Sequence, residues 1–442
     1  MQLFGKYKQL VLFIILIHAV YFGMALYFQG IYTVDSIGYL FQADNIIHHH
    51  SFYSEDFSKP ILPDYFSFRP PLYSLFILFC KSIFCSNYFV LFIQNLVSIS
   101  LFFWIIKFCD ELKIKKKHTQ LFIPLYLIFY PAQFVYVNTI MSEILFQFLL
   151  FCAFYYSYRI MLNTTFKNSI LMCLFFALAM ITKPVSLLIG LSVILFLLLK
   201  KRLNTFKLLV PILLLPATFL SVSFINKDAT GYFHFTSVKS IFLVKYMVKY
   251  TAVSAYNEEY ADNLVSRIMN EADKKTSYEM RLKYMDEMGY KFINEHKTDF
   301  VKLFAKGCIA FMIDPGRYDI YKFYEIKNGA IEGYHTFHTK GANAFVEFIK
   351  TAPLFVVIVL AFNLLWNVVV LTFFIFMFFS KKIPAILKIL IGIFIFYIML
   401  STGVLGLSRY RVPIFPQLLI AFLLFVQHSN FLNKIISKSK IA

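Results

Sequence analysis

The chain has 442 residues, 59% of them hydrophobic and only 15% charged, with a mean hydropathy of +0.67. A soluble protein of this length cannot hide so much apolar surface, which excludes an ordinary globular domain. The net charge of +19 is that of a nucleic-acid-binding protein, but its distribution along the chain excludes that partner.

Apolar runs of spanning length recur at 10–28, 87–106, 120–137, 143–161, 169–182, 185–199, 206–225, 352–379, 384–403 and 412–428. They predict an all-α polytopic membrane protein with about ten transmembrane helices in one membrane-embedded unit, 1–442. Lys6 and Lys8 precede the first run as they would a signal peptide. No small-residue cleavage site follows it, and Tyr21, Phe22 and Tyr27 crowd its end, so a retained first helix is predicted. With the N-terminus in the cytoplasm, the inside segments hold Lys6, Lys8, Lys107, Lys113, Lys115, Lys116, Lys117, Arg159 and Lys167. They continue with Lys200, Lys201, Arg202, Lys207, Lys381, Lys382, Lys388, Lys434, Lys438 and Lys440, against only Asp110 and Glu111. The remainder is nearly neutral. Cations confined to short loops on one side are a topology signal, and they put residues 29–86 and 226–351 outside the cell membrane.

The first outer loop, 29–86, carries Val34-Asp35-Ser36-Ile37-Gly38-Tyr39 and, about thirty residues later, Phe68-Arg69-Pro70-Pro71-Leu72-Tyr73. In the second outer stretch Leu264, Ile268, Met269, Met280, Leu282, Met285, Met288, Phe292, Phe300, Leu303 and Phe304 recur mostly in steps of three and four. That spacing predicts amphipathic helices lying on the membrane domain or in the interface. Asp314-Pro315-Gly316-Arg317 then reads as a turn. Cys80, Cys85, Cys109, Cys152, Cys173 and Cys308 lie mostly in or beside spans without metal spacing and read as buried thiols. Only Cys80 and Cys85 are near enough to the outer face to pair. His48-His49-His50 points three imidazoles in different directions, so a hydrated loop is favoured over a metal site. No phosphate-binding glycine motif is present, and no nucleotide site is predicted.

The order of these motifs resembles that of the bacterial GT-C membrane glycosyltransferases, which include protein O-mannosyltransferases and the lipid A aminoarabinose transferase. The likeness runs through Asp35-Ser36-x-x-Tyr39, Ala43, Arg69-Pro70-Pro71-x-Tyr73, Gln94-Asn95 and Ser142-Glu143-Ile144-Leu145-Phe146. It continues through Thr182-Lys183-Pro184, His296, Lys306-Gly307, Asp314-Pro315-Gly316 and Arg409-Tyr410-Arg411-x-Pro413. The resemblance implies transfer of a sugar from a polyprenyl phosphate to a glycan, lipid or protein acceptor at the outer face of the cytoplasmic membrane, without a nucleotide sugar. The chain departs from the pattern in Ser36 for a second acid, Leu72 for Gly and Lys183 for Arg. Relatives with two acids imply a divalent cation, and Ser36 removes one of its ligands here.

The chemistry narrows the residues. A sugar on a lipid phosphate has a good leaving group, so the step needs a base for the acceptor's proton and cations for the departing phosphate. Asp35 is the candidate base, with Asp44, Asp56 and Asp64 as alternatives and helix capping as its structural reading. Arg69, Lys183, Arg409 and Arg411 stand near outer span ends and are the candidate phosphate ligands, with headgroup snorkelling as the alternative. In a turn or extended segment Arg409 and Arg411 would reach one side together. Glu143, at a span start where the helix dipole also favours an acid, joins Tyr39, Tyr73 and Tyr410 as candidate substrate-binding residues. Two other classes compete. An O-antigen polymerase or ligase also combines about ten spans with a large outer loop. A transporter or flippase would show repeated halves with broken helices and mid-membrane charges, and neither is visible in this sequence.

Overall fold

The computed structural model describes residues 5–200, 211–326 and 350–429. Lys201, Arg202, Lys207, Lys434, Lys438 and Lys440, the start of the expected span 206–225 and the outer residues 327–349 lie outside the described residues. Among the described residues every regular element is helical. In chain order these are α1 (Lys8–Phe28), α2 (Val34–His48), α3 (Pro71–Ile83), α4 (Asn87–Glu111), α5 (Lys116–Ile128), α6 (Ala132–Val137), α7 (Glu143–Leu162), α8 (Phe166–Met180), α9 (Ser186–Leu199) and α10 (Leu214–Thr230). There follow α11 (Val238–Phe242), a π-helical turn (Leu243–Val248), α12 (Lys249–Ala255), α13 (Glu258–Asp273), α14 (Tyr278–Glu295), α15 (Lys297–Ile313), α16 (Arg317–Phe323), α17 (Leu354–Phe379), α18 (Ala385–Thr402), α19 (Ser408–Arg411) and α20 (Phe415–His428).

Six segments among the described residues are long and apolar enough to cross a membrane: α1, α4, α7, α17, α18 and the continuous run Ser408–His428. Helices α3, α8 and α9 are apolar too, but have 13, 15 and 14 residues. That is short of the roughly 20 that cross the hydrocarbon core unaided. Helix α7 is central. Its Phe154 meets Phe394 of α18 at 5.2 Å and Phe108 of α4 at 5.8 Å, and Ile144, Leu150, Phe151 and Ile160 are fully buried. Helix α17 instead leaves Phe355, Phe362, Leu365 and Phe376 on the outer surface, an apolar face suited to lipid.

The expected span at 120–137 is not one helix. It breaks at Phe129-Tyr130-Pro131 into α5 and α6, because proline supplies no backbone N–H and disfavours helix in the residue before it. Beyond α6 the backbone runs irregularly and buried to Ser142. Its carbonyls are satisfied inside the protein: Gln94 Nε2 donates to Val137 O (2.8 Å) and Thr139 O (3.0 Å), and Ser36 Oγ donates to Ile140 O (2.7 Å). Irregular backbone among apolar helices persists only where protein groups take the place of water in this way.

The bundle has two charged ends. At one, Lys6 pairs with Asp110 (2.9 Å) and Arg159 with Glu111 (3.4 Å), joining the start of α1 to the ends of α4 and α7. The opposite end holds Glu143, which stands about 24 Å from Arg159 along α7 at 1.5 Å per residue. His18, near the middle of α1, is buried with its ring nitrogens at Ile14 O (2.7 Å) and Ser98 Oγ (2.9 Å).

Helices α13 and α14 have the amphipathic character expected of them. Their apolar stripes, Leu264 and Ile268 on α13, Leu282 and Met285 on α14, close on Val244 and Val248 of the π-helical turn to make a small separate core. The unit docks on the first loop through Arg281, which pairs with Asp64 at 2.7 Å, and Tyr278, whose hydroxyl donates to the same carboxylate at 2.9 Å. All six cysteines are free. Cys85 is exposed, Cys308 is half-buried and the other four are buried.

Candidate active site

Asp35 lies in the first turn of α2, where the helix dipole favours an acid. Ser36 does structural work at this point. Its hydroxyl accepts from Thr33 N–H (2.8 Å) and donates to Ile140 O, so the start of α2 is tied to the buried segment that leads to Glu143. Arg69 is presented from the other side by Pro70 and Pro71, the latter the first residue of α3, where proline's fixed φ suits a helix start. The Arg69 guanidinium lies over the rings of Phe68 (4.7 Å) and Tyr39 (5.0 Å). Gly38 leaves it room, for a Cβ there would stand 3.2 Å from Arg69 Nε and 3.3 Å from Ser54 O.

These side chains converge on one ion-pair cluster. Asp35 Oδ1 meets Arg69 Nη2 at 2.5 Å and its Oδ2 meets Arg409 Nη2 at 2.5 Å. Arg409 turns its Nε to Glu143 Oε1 (2.6 Å), and the same oxygen accepts from Lys183 Nζ (2.8 Å). Arg409 therefore bridges the two carboxylates, each of which has a second cation. Three cations against two acids leave the cluster with one excess positive charge. The Glu143 side chain is fully buried, whereas Asp35 is 25% exposed, so Asp35 is the carboxylate within reach of a ligand. Glu143 Oε2 and Arg69 Nε are buried without a hydrogen-bond partner, leaving one acceptor and one donor unspent.

Burial works to raise the Asp35 carboxyl, but Arg409 and Arg69, by charge and by hydrogen bond, outweigh it and hold it well below the usual carboxylate range. Asp35 is thus ionised across neutral pH and is a weak base as long as both guanidinium groups stay on it.

The candidate tyrosines surround this cluster. Tyr39 Oη is 3.0 Å from Ser142 Oγ, beside Glu143, and its ring meets Tyr73 edge-on at 4.8 Å. Tyr73 is fully buried and donates to Gln94 Oε1 at 2.5 Å, so it supports Tyr39 from behind. Tyr410 packs beside its neighbour, with the Arg409 guanidinium 5.7 Å from its ring. The three alternative acids are placed elsewhere. Asp44 is more than half exposed, 4.0 Å from Lys81, Asp56 accepts from Ser58 N–H in an exposed loop, and Asp64 is taken by Arg281 and Tyr278.

Arg411 does not join Arg409. Ser408–Arg411 is helical, so side chains two residues apart point about 200° from one another. The Arg411 guanidinium donates to the carbonyls of Phe311, Met312 and Asp314 and lies over Tyr130, securing the turn after α15.

The cluster depends on a close backbone crossing. Gly307 of α15 abuts Gly403, and a Cβ at 307 would collide with the Gly403 carbonyl. The crossing fixes the residues that lead into Ser408 and Arg409. Gly307→Ala should lower stability by about 1–3 kcal/mol, the usual cost of forcing an extra group into packed structure. A thermal melt of the purified variant that matches the wild type would show that the crossing yields without cost.

Beside Arg69 lies a small, mostly apolar crevice lined by Phe52, Phe66, Pro70, Pro71, Ile181, Pro184 and Phe235. Arg69 is part of the lining, so the crevice borders the charged cluster. Among the described residues no three His, Cys, Asp or Glu side chains are grouped to hold a metal ion, His48-His49-His50 included. Both carboxylates of the site are already engaged by cations, a donor set that does not fit a resident divalent cation.

No family model, curated protein or solved structure matches this chain. The site stands on its own geometry. The motifs hold Gly38, Gln94 and Ser142 but do not report their partners, Arg69, Tyr73 and Tyr39, which only the structure supplies.

Proposed function

We propose that this chain is a GT-C-type membrane glycosyltransferase, which moves a sugar from a polyprenyl phosphate to a glycan, lipid or protein acceptor at the outer face of the cytoplasmic membrane. The observation that carries this reading is the Arg409 bridge. Five charged side chains from five separated segments of a membrane protein meet at one end of the bundle, beside an apolar crevice. A phosphate on an isoprenoid chain has the matching chemistry: the anion for Arg69, Arg409 and Lys183, the hydrocarbon for Phe52, Phe66 and the prolines. Loops 29–86 and 226–351 are then extracytoplasmic, and the short apolar helices α3, α8 and α9 bring the count of membrane-inserted segments towards ten.

In the reaction the acceptor hydroxyl oxygen forms a bond to the sugar's anomeric carbon as the bond from that carbon to the phosphate oxygen breaks. The hydroxyl proton passes to Asp35, and the bond electrons leave with the phosphate, which gains one negative charge. Arg409 and Arg69 meet that charge. Before the donor arrives both are spent on Asp35. Sharing them with phosphate weakens their hold on the carboxylate and raises its basicity when a base is required. Glu143, buried and paired with Lys183, keeps Arg409 aimed in both states. Arg411 holds the turn beneath and takes no part in phosphate binding.

Retention of a synthetic polyprenyl phosphate by the detergent-solubilised protein, compared with the same polyprenol lacking phosphate, tests the pairing of crevice and cluster. Native mass spectrometry should find the phosphate ester bound and the alcohol largely absent. Equal retention of both would reduce the site to a lipid crevice with an unrelated ion cluster beside it.

A further inference from the structure

A row of aromatic rings runs along the outer unit on the side away from its core. Helix α11, the π-helical turn and α12 follow one another without a break. Along them Val244, Val248 and Ala252 recur every four residues and are buried in the small core. Residues two positions away, Phe242, Tyr246 and Tyr250, are therefore turned to the opposite side. The Phe242 and Tyr246 ring centroids are 5.3 Å apart with the planes inclined by 33°, and those of Tyr246 and Tyr250 are 6.3 Å apart at 40°. The three rings thus make a gently curved row. Tyr246, its middle member, is 40% exposed, and Lys245 beside it is exposed. The turn is held from beneath by a close approach of α14, where a Cβ at Gly289 would stand 2.7 Å from Leu243 Cγ. π-Helical turns recur at functional sites.

The row is anchored beside the charged cluster. Phe68 packs on the core of the outer unit, and the Arg69 guanidinium lies over the Phe68 ring. Helix α12 packs on α15, and α15 on α19, the element of Arg409 and Tyr410. Tyr246 is within electrostatic reach of Tyr410, and Tyr318, itself 38% exposed, is within reach of Arg409 and Asp35. Two exposed tyrosines, from the π-helical turn and from α16, thus stand beside the site. Past Tyr246 the row continues to Tyr250, which Glu258 of α13 adjoins.

We propose that Phe242, Tyr246 and Tyr250 form the acceptor subsite and that the acceptor is a glycan, its sugar rings on the row and its receiving hydroxyl turned to Asp35. A pyranose carries C–H groups on its face and hydroxyls around its rim. The face lies on an aromatic ring, while phenol, ammonium and carboxylate groups such as those of Tyr246, Lys245 and Glu258 take the rim hydroxyls. A peptide acceptor calls for a sheet edge or an apolar groove, and the row, on the outside of a helix, is neither. The role as acceptor subsite rests on the proposed glycosyl transfer, whereas glycan binding rests on the row alone.

The test has a binding arm and a transfer arm, both on the full-length protein in a detergent without a sugar headgroup. In the first, the protein is passed over an array of defined bacterial-envelope oligosaccharides. A subset should retain the wild type. Tyr246→Ala should bind those about 3–10-fold more weakly, the worth of one stacked ring, and Tyr246→Phe nearly as well as the wild type, since it keeps the ring. In the second arm, a labelled polyprenyl-phosphate sugar is supplied with envelope membranes. Label should arrive in glycan that resists protease, and Tyr246→Ala should raise the acceptor concentration for half-maximal rate by the same factor while the donor KM stays put. Retention of no oligosaccharide, equal retention of wild type and Tyr246→Ala, or label in a protease-sensitive product or on a lipid without glycan overturns the proposal. Retention as expected with no transfer by any protein would sink the glycosyltransferase reading and leave the row as a glycan-binding site.

Discussion

Asp35→Asn, purified in detergent, should turn over about 10²–10⁴-fold more slowly than the wild type, the usual cost of removing a general base. Its binding of the polyprenyl phosphate should not weaken, and this second half sets the prediction apart. In the wild type Asp35 occupies one guanidinium nitrogen of Arg69 and one of Arg409, so on the proposed reading the carboxylate competes with the donor's phosphate for both. Asparagine leaves those cations free. A large fall in kcat with an unchanged or lower donor KM is the signature of a base that also masks its phosphate ligands. Near-normal turnover at equal expression would remove Asp35 from the chemistry. Asp44 and Asp56 would inherit the base role poorly, because neither faces the cluster, and Asp64 is held by Arg281.

Arg409→Gln should do more damage, of two kinds. It deletes the one side chain that touches both carboxylates, leaving Glu143 with Lys183 and Asp35 with Arg69. Removing one partner from a buried pair costs about 3–5 kcal/mol, so a drop in thermal stability is expected along with the loss of turnover. Arg409→Lys restores the charge but not the fork that reaches Asp35 through Nη2 and Glu143 through Nε. It should recover stability in part and turnover less. Arg411→Gln should lower stability as well, since three carbonyls lose their donor, while the protein that remains folded keeps its donor affinity. Melting curves and donor binding on the three variants separate a phosphate ligand from a structural arginine. Equal loss of donor affinity in Arg409→Gln and Arg411→Gln would erase that distinction.

Much of the architecture was legible because hydrophobicity and helix length are local properties. The expected spans at 10–28, 87–106, 143–161, 352–379 and 384–403 each fall on one apolar helix. The run at 120–137 misled because its continuity in hydropathy conceals a break at Pro131, and because the irregular backbone after α6 is satisfied by Gln94, from another helix. The same limit applies to α13 and α14, whose apolar stripes were plain but whose covering surface, the π-helical turn and α12, depends on tertiary packing. In the site, charge at span ends pointed to Arg69, Glu143, Lys183 and Arg409 one at a time. Their meeting was not readable, because the pairing of Arg409 with Glu143 crosses 266 positions of chain. Arg409 and Arg411 look alike in sequence and diverge in space, since two steps of a helix turn them to opposite sides. Asp319, in the first turn of α16, accepts from Tyr136 Oη and carried no signal of that partner.

The central claim is that this protein moves sugar off a polyprenyl phosphate. The most direct measurement incubates the purified protein with a radiolabelled polyprenyl-phosphate sugar and envelope membranes from cells lacking the gene, and follows the label by lipid extraction and mass spectrometry. The account predicts that label leaves the polyprenyl-phosphate carrier for an acceptor, that free polyprenyl phosphate appears in equal amount, and that Asp35→Asn slows both by about 10²–10⁴-fold. Label remaining on the lipid carrier with wild-type protein and competent acceptor membranes would contradict it.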